Sequence, residues 1–237
     1  MRTIRVGVLI AGVALAVAAC TANSVDSSPT TRETTATSAA STSSSAPRPV
    51  QGVELPMPVE VTGPEPDLLT SNQAYAEFPP ASVSLPVMEQ LAQQMRKETV
   101  LRSGIRGRFG AASCPRGGLT MRAGATTTCT IRYEGVDVPW NITIGDDYQR
   151  GSQFFDYRVT GTVGVLRARA VHGLLWNKAS RVPSQRLRCD AIPEMKVVQL
   201  GPTGYRCQYL DTTGASDALM WTVVQVVVDE DGELRLE

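Results

Sequence analysis

Apolar side chains after residue 85 recur with two different periods. Helical spacing is seen twice, first at Met88, Leu91, Met95 and Thr99, with Gly104 placed to end that helix, and then at Val163, Leu166, Ala170 and Leu174. Stretches rich in β-branched and aromatic residues lie between and after these positions: ATTTCTIRY, VPWNITI, QFFDYRV, GYRCQYL and LMWTVVQVVV. The pattern predicts an α+β fold of helices and antiparallel strands. In the last stretch both alternate faces are mostly apolar, which predicts a central strand buried on both sides or, alternatively, one that lines a cavity.

The sequence after residue 85 repeats itself. A shift of 75 residues superposes Met88 on Val163 and Cys114 on Cys189. The shift grows to 78 between Cys129 and Cys207 and to 81 between Trp140 and Trp221. Residues inserted in the turns of the second copy would lengthen the shift in this way. The repeat predicts two related units, 85–160 and a divergent 161–237, each with one helix packed on a small antiparallel sheet.

The first twenty residues have the layout of a secretory signal. Arg2 and Arg5 precede an uncharged stretch, 6–17, which is followed by the small residues Ala18 and Ala19 and then by Cys20. This stretch is too short to span a bilayer, which needs about 20 apolar residues. The residues VAAC resemble the bacterial lipobox, which implies that 1–19 are a signal peptide and that Cys20 is acylated, anchoring the protein at the extracytoplasmic face of the cell membrane. The alternative is an ordinary signal peptide followed by a chance cysteine.

Two segments without a core-forming pattern follow. Residues 20–50 are about half Ser and Thr, which predicts a disordered tether. Residues 51–84, which we call the acidic spacer, combine six prolines with five acidic residues and no basic one. Proline favours extended backbone, so the segment is either a stiff solvated linker or a strap that docks onto the following domain. The side chains that would dock it are Leu68, Leu69, Tyr75 and Phe78.

Export predicts that the four remaining cysteines pair. Four cysteines allow three pairings, and equivalent positions in the repeat favour Cys114 with Cys129 and Cys189 with Cys207. Each bond closes a hairpin and contributes about 3 kcal/mol in the chain-entropy model. Metal binding is the alternative, but the cysteines lack the short spacing of zinc knuckles and His172 is the only histidine. We expect neither a metal nor another cofactor.

Charge is balanced overall but not locally. The chain has 23 basic and 23 acidic residues, so no global field favours nucleic acid as a partner. Eight basic residues lie between Arg96 and Arg132, against Glu98 alone. The candidate residues for binding an anionic surface are Arg96, Lys97, Arg102, Arg106 and Arg108. Such a patch suits lipid headgroups, an anionic wall polymer or the acidic spacer itself; a merely solvated face is the alternative.

The sequence contains no recognisable catalytic motif. It lacks Gly-x-Ser-x-Gly and a glycine-rich phosphate loop, and the expected disulfides leave no free thiol nucleophile. His172 has no predictable acidic partner, so a surface or boundary position is expected for it. Asp146 and Asp147 fit a hairpin turn better than a calcium site. We therefore expect no catalytic residues and a protein that is not an enzyme.

Residues 113–144, SCPRGGLTMRAGATTTCTIRYEGVDVPWNITI, resemble a known family. The match is to the small domain of unknown function of the DUF4333 type, found in actinobacterial membrane-anchored and secreted proteins. It is carried by Ser113, Cys114, Pro115, Gly124, Ala125, Cys129 and Thr130. The resemblance implies an exported α+β domain and brings neither catalytic residues nor an established ligand. The second unit departs from the pattern, with Asp190 in place of the proline.

The functional prediction is a lipid-anchored lipoprotein of the cell envelope that works as a binding or interaction module. Its expected partners are the membrane, through Cys20, and an envelope protein or an anionic wall polymer. The alternative is a carrier that holds a lipid or another apolar ligand in a cavity between sheet and helices.

Overall fold

Helices and antiparallel strands make up the computed structural model of this chain, which describes residues 49–152, 155–179, 186–211 and 218–237. The predicted signal peptide, Cys20 and nearly all of the tether lie outside these ranges. The helices are α1 (Ser71–Glu77), α2 (Val87–Ser103) and α3 (Ala168–Ala179), and a 3₁₀ turn covers Pro115–Gly117. The fold is mixed α+β, as the sequence predicts, and most of its elements are strands.

Twelve strands lie within the described ranges. They are β1 (Val50–Gln51), β2 (Val59–Glu60), β3 (Phe109–Ser113), β4 (Thr126–Tyr133), β5 (Val136–Ile144), β6 (Tyr157–Thr160), β7 (Val163–Leu166), β8 (Leu187–Cys189), β9 (Lys196–Gln199), β10 (Gly201–Asp211), β11 (Leu219–Val228) and β12 (Leu234–Leu236). Strands β3 to β6 form one antiparallel sheet in sequence order. A larger sheet has the order β1-β11-β10-β8-β2, with β12 also paired to β11, and β7 pairs with β9.

Helix α2 and the first sheet share one hydrophobic core. Leu91 and Met95 of the helix are fully buried among residues of β4 and β5, including Ile131 and Trp140. Pro86 is the N-cap of the helix, and Gly104 ends it in the left-handed conformation, with φ of 67°. Glycine adopts this conformation at little cost, so the helix ends where the sequence predicts.

Helix α3 and the larger sheet share a second core. Val171 and Leu175 of the helix are fully buried with Val224, Val226 and Val228 of β11. Strand β7 joins the two cores, because Val163 and Val165 belong to the first and Leu166 to the second. All four residues of β7 are buried.

Two details of the repeat prediction are wrong. Val163 and Leu166 lie in strand β7, whereas Met88 and Leu91, on which they were superposed, lie in helix α2. Burial of every residue of 163–166 favours a strand paired with β9 over an amphipathic helix turn. Trp140 lies opposite Cys129 in its sheet, whereas Trp221 lies opposite Leu210, three residues before the partner of Cys207.

Strand β11 is buried along one face, whereas on the other face only Trp221 is buried. Val224, Val226 and Val228 face the second core, while Val223, on the other face, is 43% exposed. The prediction of burial on both faces is therefore wrong. Strand β1 pairs in parallel with Leu219 and Met220, so it extends the sheet beside the start of β11 and does not cover a face.

Both disulfides predicted from the repeat are present. Cys114 bonds to Cys129 and Cys189 bonds to Cys207. Each bond joins neighbouring antiparallel strands or their immediate ends, and Cys189 lies directly opposite Cys207 in the register of β8 and β10. Within the described ranges, no helix is long and apolar enough to cross a membrane.

Candidate functional site

The acidic spacer is docked along the domain as a strap. Strands β1 and β2 add to the larger sheet, Met57 and Val61 are buried, and Leu68 bridges to Ile105. Phe78 packs edge-on against Phe109, with ring centroids 6.0 Å apart. The two sequence interpretations, linker or strap, are thus decided in favour of the strap.

Ion pairs hold the spacer to basic residues of the domain. Arg169 of α3 donates to both carboxylate oxygens of Glu65, at 2.6 and 2.9 Å, and to Asp67 at 2.8 Å. Glu54 pairs with Arg186 at 2.9 Å, and Glu77 pairs with Arg106 at 2.8 Å. Bidentate arginine–carboxylate contacts such as the one at Glu65 are among the stronger pairs of this kind.

Gln208 of β10 binds the spacer backbone directly. Its side-chain amide donates to the carbonyl oxygen of Leu55 at 2.7 Å and accepts from the Leu55 amide at 2.9 Å. Gln208 is completely buried, so both of its polar atoms depend on these bonds. Sequence reasoning missed this residue because its partner is 153 positions away and only the fold brings the two together.

The five basic candidates do not form one surface patch. Arg102 is 8% exposed, stacks over the Trp140 ring at 4.9 Å and donates to the carbonyl oxygen of Val163 at 2.7 Å. It is therefore a buried structural residue and leaves the candidate set. A helix turns about 100° per residue, so Arg96, Lys97 and Arg102 leave α2 in different directions.

The remaining candidates have separate environments. Lys97 lies over the ring of Tyr75 in the spacer at 5.2 Å, and Arg106 pairs with Glu77. Arg96 has a buried Nε without a hydrogen-bond partner among the described residues. Only Arg108 has a nearly fully exposed side chain, 93%, and its nearest carboxylate is Glu134 at 3.5 Å.

A groove of about 460 Å³ lies between the spacer, α2, α3 and the segment leading into β12, and we call it the α2–α3 groove. Its apolar lining is Leu68, Leu69, Ala74, Val100, Leu101, Leu174 and Leu234. Its polar lining is Glu65, Thr70, Ser71, Asn177 and Glu233. The volume falls within the range of small-ligand pockets, roughly 300 to 1,000 Å³. An apolar floor with polar groups at the rim can take up an amphipathic ligand.

A second, more polar depression of about 240 Å³ lies on the other side of Glu65. It is lined by 60–65 of the spacer together with Arg169 and His172 of α3. His172 is half-buried, as expected for a boundary residue, and its Nε2 has no partner in the described part of the chain. Burial lowers the pKa of His172, while Glu194 and Glu65 act in the opposite direction.

Gly173 of α3 permits the close approach of the spacer beside the groove. A Cβ at this position would lie 2.7 Å from Cβ of Glu65 and 3.2 Å from Cδ2 of Leu68. We expect Gly173→Ala to lower the free energy of unfolding by about 1–2 kcal/mol, because overpacking outweighs the gain in helix propensity of about 1 kcal/mol. Urea unfolding followed by circular dichroism measures the change.

Asn177→Ala is the matched control for Gly173→Ala. Asn177 is exposed on the same helix, so alanine there brings the propensity gain without a clash. We expect the control to be neutral or slightly stabilising. A stabilised Gly173→Ala protein would show that the spacer does not lie tightly against α3.

Among the described residues, no group of three or more His, Cys, Asp or Glu side chains is placed to hold a metal ion. Comparison with known proteins adds no relative: no family model matches the chain, and neither a curated protein nor a solved structure does.

Proposed function

We propose that this protein is a lipoprotein that is cut before Cys20, acylated on that residue and held at the extracytoplasmic face of the membrane, where its domain acts as a binding module and not as an enzyme. The residues RTIRVGVLIAGVALAVAAC support export and acylation. The two disulfides support the same compartment, because such bonds persist in oxidising surroundings.

The α2–α3 groove carries the binding part of the proposal. Apolar side chains from three directions, Leu68 of the spacer, Val100 of α2 and Leu174 of α3, converge on it. Because ion pairs and Gln208 fix the spacer, the groove is preformed and a ligand need not order its walls. Three of the five basic candidates, Lys97, Arg102 and Arg106, contact the spacer or the core instead, which favours an envelope protein over an anionic polymer as the partner.

The alternative function is transport of an apolar ligand such as a lipid. The groove volume supports it. The polar residues at the rim and the open side favour a partner that keeps contact with water.

We also propose that the two units, each a helix on a small antiparallel sheet, arose by duplication; the disulfide between neighbouring strands in each unit supports this.

The anchor is tested by expressing the full chain and its Cys20→Ser variant in a bacterial host with a lipoprotein pathway. We expect the wild-type chain in the membrane fraction with the mass of added diacylglycerol. The variant should be soluble or remain unprocessed, without that mass. A wild-type protein without the added mass would contradict the anchor.

The groove is tested with Nile red, a neutral apolar dye whose fluorescence rises when it is shielded from water. We expect the domain to bind the dye and Leu174→Glu to reduce the binding severalfold. Leu69→Glu is a second groove variant in case the first unfolds. Val223→Glu, which changes an exposed apolar residue of β11, is the matched control and should bind as the wild type does. Equal loss in all three variants would contradict binding in the groove, and co-purifying lipid in extracts would favour the carrier.

A further inference from the structure

We propose that the partner in the α2–α3 groove is a peptide segment that presents large apolar side chains next to lysine or arginine. This inference rests on the proposed binding function and specifies the chemistry of the partner. The apolar lining supplies the surface that such side chains would cover.

The charged residues that line the groove are all acidic. They are Glu65 and Glu233, and no lysine or arginine is among the lining residues. Glu65 is bound by Arg169, so its charge is largely compensated. Glu233 has a side chain that is 44% exposed, and its nearest cation, Arg235, lies 3.9 Å away, beyond hydrogen-bond distance. Glu233 is therefore available to a cation on a partner.

Three further carboxylates lie near Glu233, and one of them, Asp229, is paired with Arg235. Asp229, Asp231 and Glu98 lie close enough to act electrostatically on Arg102, as Glu233 also does. Arg102 is buried and donates to the carbonyl oxygens of Val163 and Gly161, which places its charge beneath the surface. Burial raises the pKa of Glu98; the charges of Lys97 and Arg102 oppose this rise, and the charge of Glu233 adds to it.

Nearby basic groups are already engaged. Arg235 donates to Asp229 at 2.5 Å, and Lys178 of α3 donates to the carbonyl oxygen of Leu236 at 3.2 Å. An acidic rim beside an apolar floor is complementary to a basic amphipathic segment. An acidic segment would be repelled by the same rim. The rim also carries Ser71 and Asn177, which can hydrogen-bond to the backbone or polar side chains of a peptide.

The probe is a fluorescein-labelled amphipathic peptide made of leucine and lysine, used with the disulfide-bonded full chain. A leucine–glutamate peptide with the same apolar pattern and a scrambled leucine–lysine peptide are the peptide controls. We expect anisotropy to show binding of the ordered leucine–lysine peptide, weakened by salt, and about tenfold weaker binding of the other two.

The protein variants separate the groove from general acidity. Glu233→Lys should weaken binding of the leucine–lysine peptide by about tenfold, which a reversed charge beside a partner cation can produce. Asp146→Lys makes the same change of charge in an exposed turn that does not line the groove, so it should change binding less than about twofold.

The outcomes distinguish this inference from the proposed function. If both ordered peptides bind equally and Leu174→Glu weakens both, the groove binds apolar segments and the basic partner is excluded. If Leu174→Glu leaves peptide and Nile red binding unchanged, the groove itself is not a binding site. If Glu233→Lys and Asp146→Lys weaken binding equally, the attraction is nonspecific and the inference is overturned.

Discussion

Replacing Trp140 by alanine is expected to lower the free energy of unfolding by about 4 kcal/mol, as large-to-small changes at buried tryptophans do. Trp140 is 2% exposed and packs with Leu91 and Met95 of α2 in the first core. The change leaves a cavity and also removes the ring over which the guanidinium of Arg102 is stacked. A typical domain has only about 5–15 kcal/mol of stability, so this loss is a large share of it and the variant should unfold at a clearly lower urea concentration.

Urea unfolding followed by far-ultraviolet circular dichroism measures this loss without relying on tryptophan fluorescence. Trp140→Phe is the matched control. It keeps an aromatic face under Arg102, and it removes an indole N–H that has no hydrogen-bond partner among the described residues. We expect a much smaller loss from phenylalanine than from alanine. A loss below about 1 kcal/mol for Trp140→Ala would show that the first core does not depend on this side chain.

Removing the disulfide between Cys189 and Cys207 is expected to lower the free energy of unfolding by about 3 kcal/mol. The bond closes a loop of 18 residues and so restricts the unfolded chain. The variant is Cys189→Ala together with Cys207→Ala, since changing one cysteine alone leaves a reactive thiol. Both cysteines are fully buried in the second core. Alanine avoids placing an unsatisfied hydroxyl group in that core.

The first disulfide gives a matched comparison. Cys114 and Cys129 are 15 residues apart, so the chain-entropy model predicts a similar loss, again about 3 kcal/mol, for the paired alanine variant. Measuring both pairs by urea unfolding under non-reducing conditions checks this. If removing either disulfide lowered the free energy of unfolding by less than about 1 kcal/mol, restriction of the unfolded chain would not be the source of stability in that unit.

The candidate site was only partly accessible to sequence reasoning. The run of basic residues from Arg96 to Arg132 and the acidic spacer are visible as composition, and their attraction was one of the alternatives considered. The sequence did not show which residues pair: Arg169, which is not one of the five candidates, holds Glu65 and Asp67. The groove likewise depends on residues from 65 to 234 that have no common pattern along the chain.

The two tryptophans show the same limit within the fold. The repeat superposes Trp140 on Trp221, but β10 and β11 pair so that Val224, and not Trp221, lies opposite Cys207. Neighbouring residues of a strand face opposite sides of the sheet, so a difference of three positions places Trp221 on the other face. There it lies under Arg186, at 5.1 Å, beside the start of the spacer.

By itself the sequence determined the local elements: the end of α2 at Gly104, strand β11 at 219–228, and the pairing of cysteines within each unit. These follow from backbone preferences, short-range periodicity and the equivalence of repeated positions, all of which are written along the chain. Only the tertiary structure decided that the spacer docks, that Arg102 is buried and that a groove opens between α2 and α3. Those outcomes depend on which side chains, distant along the chain, pack together and become buried. No short sequence pattern specifies such long-range contacts.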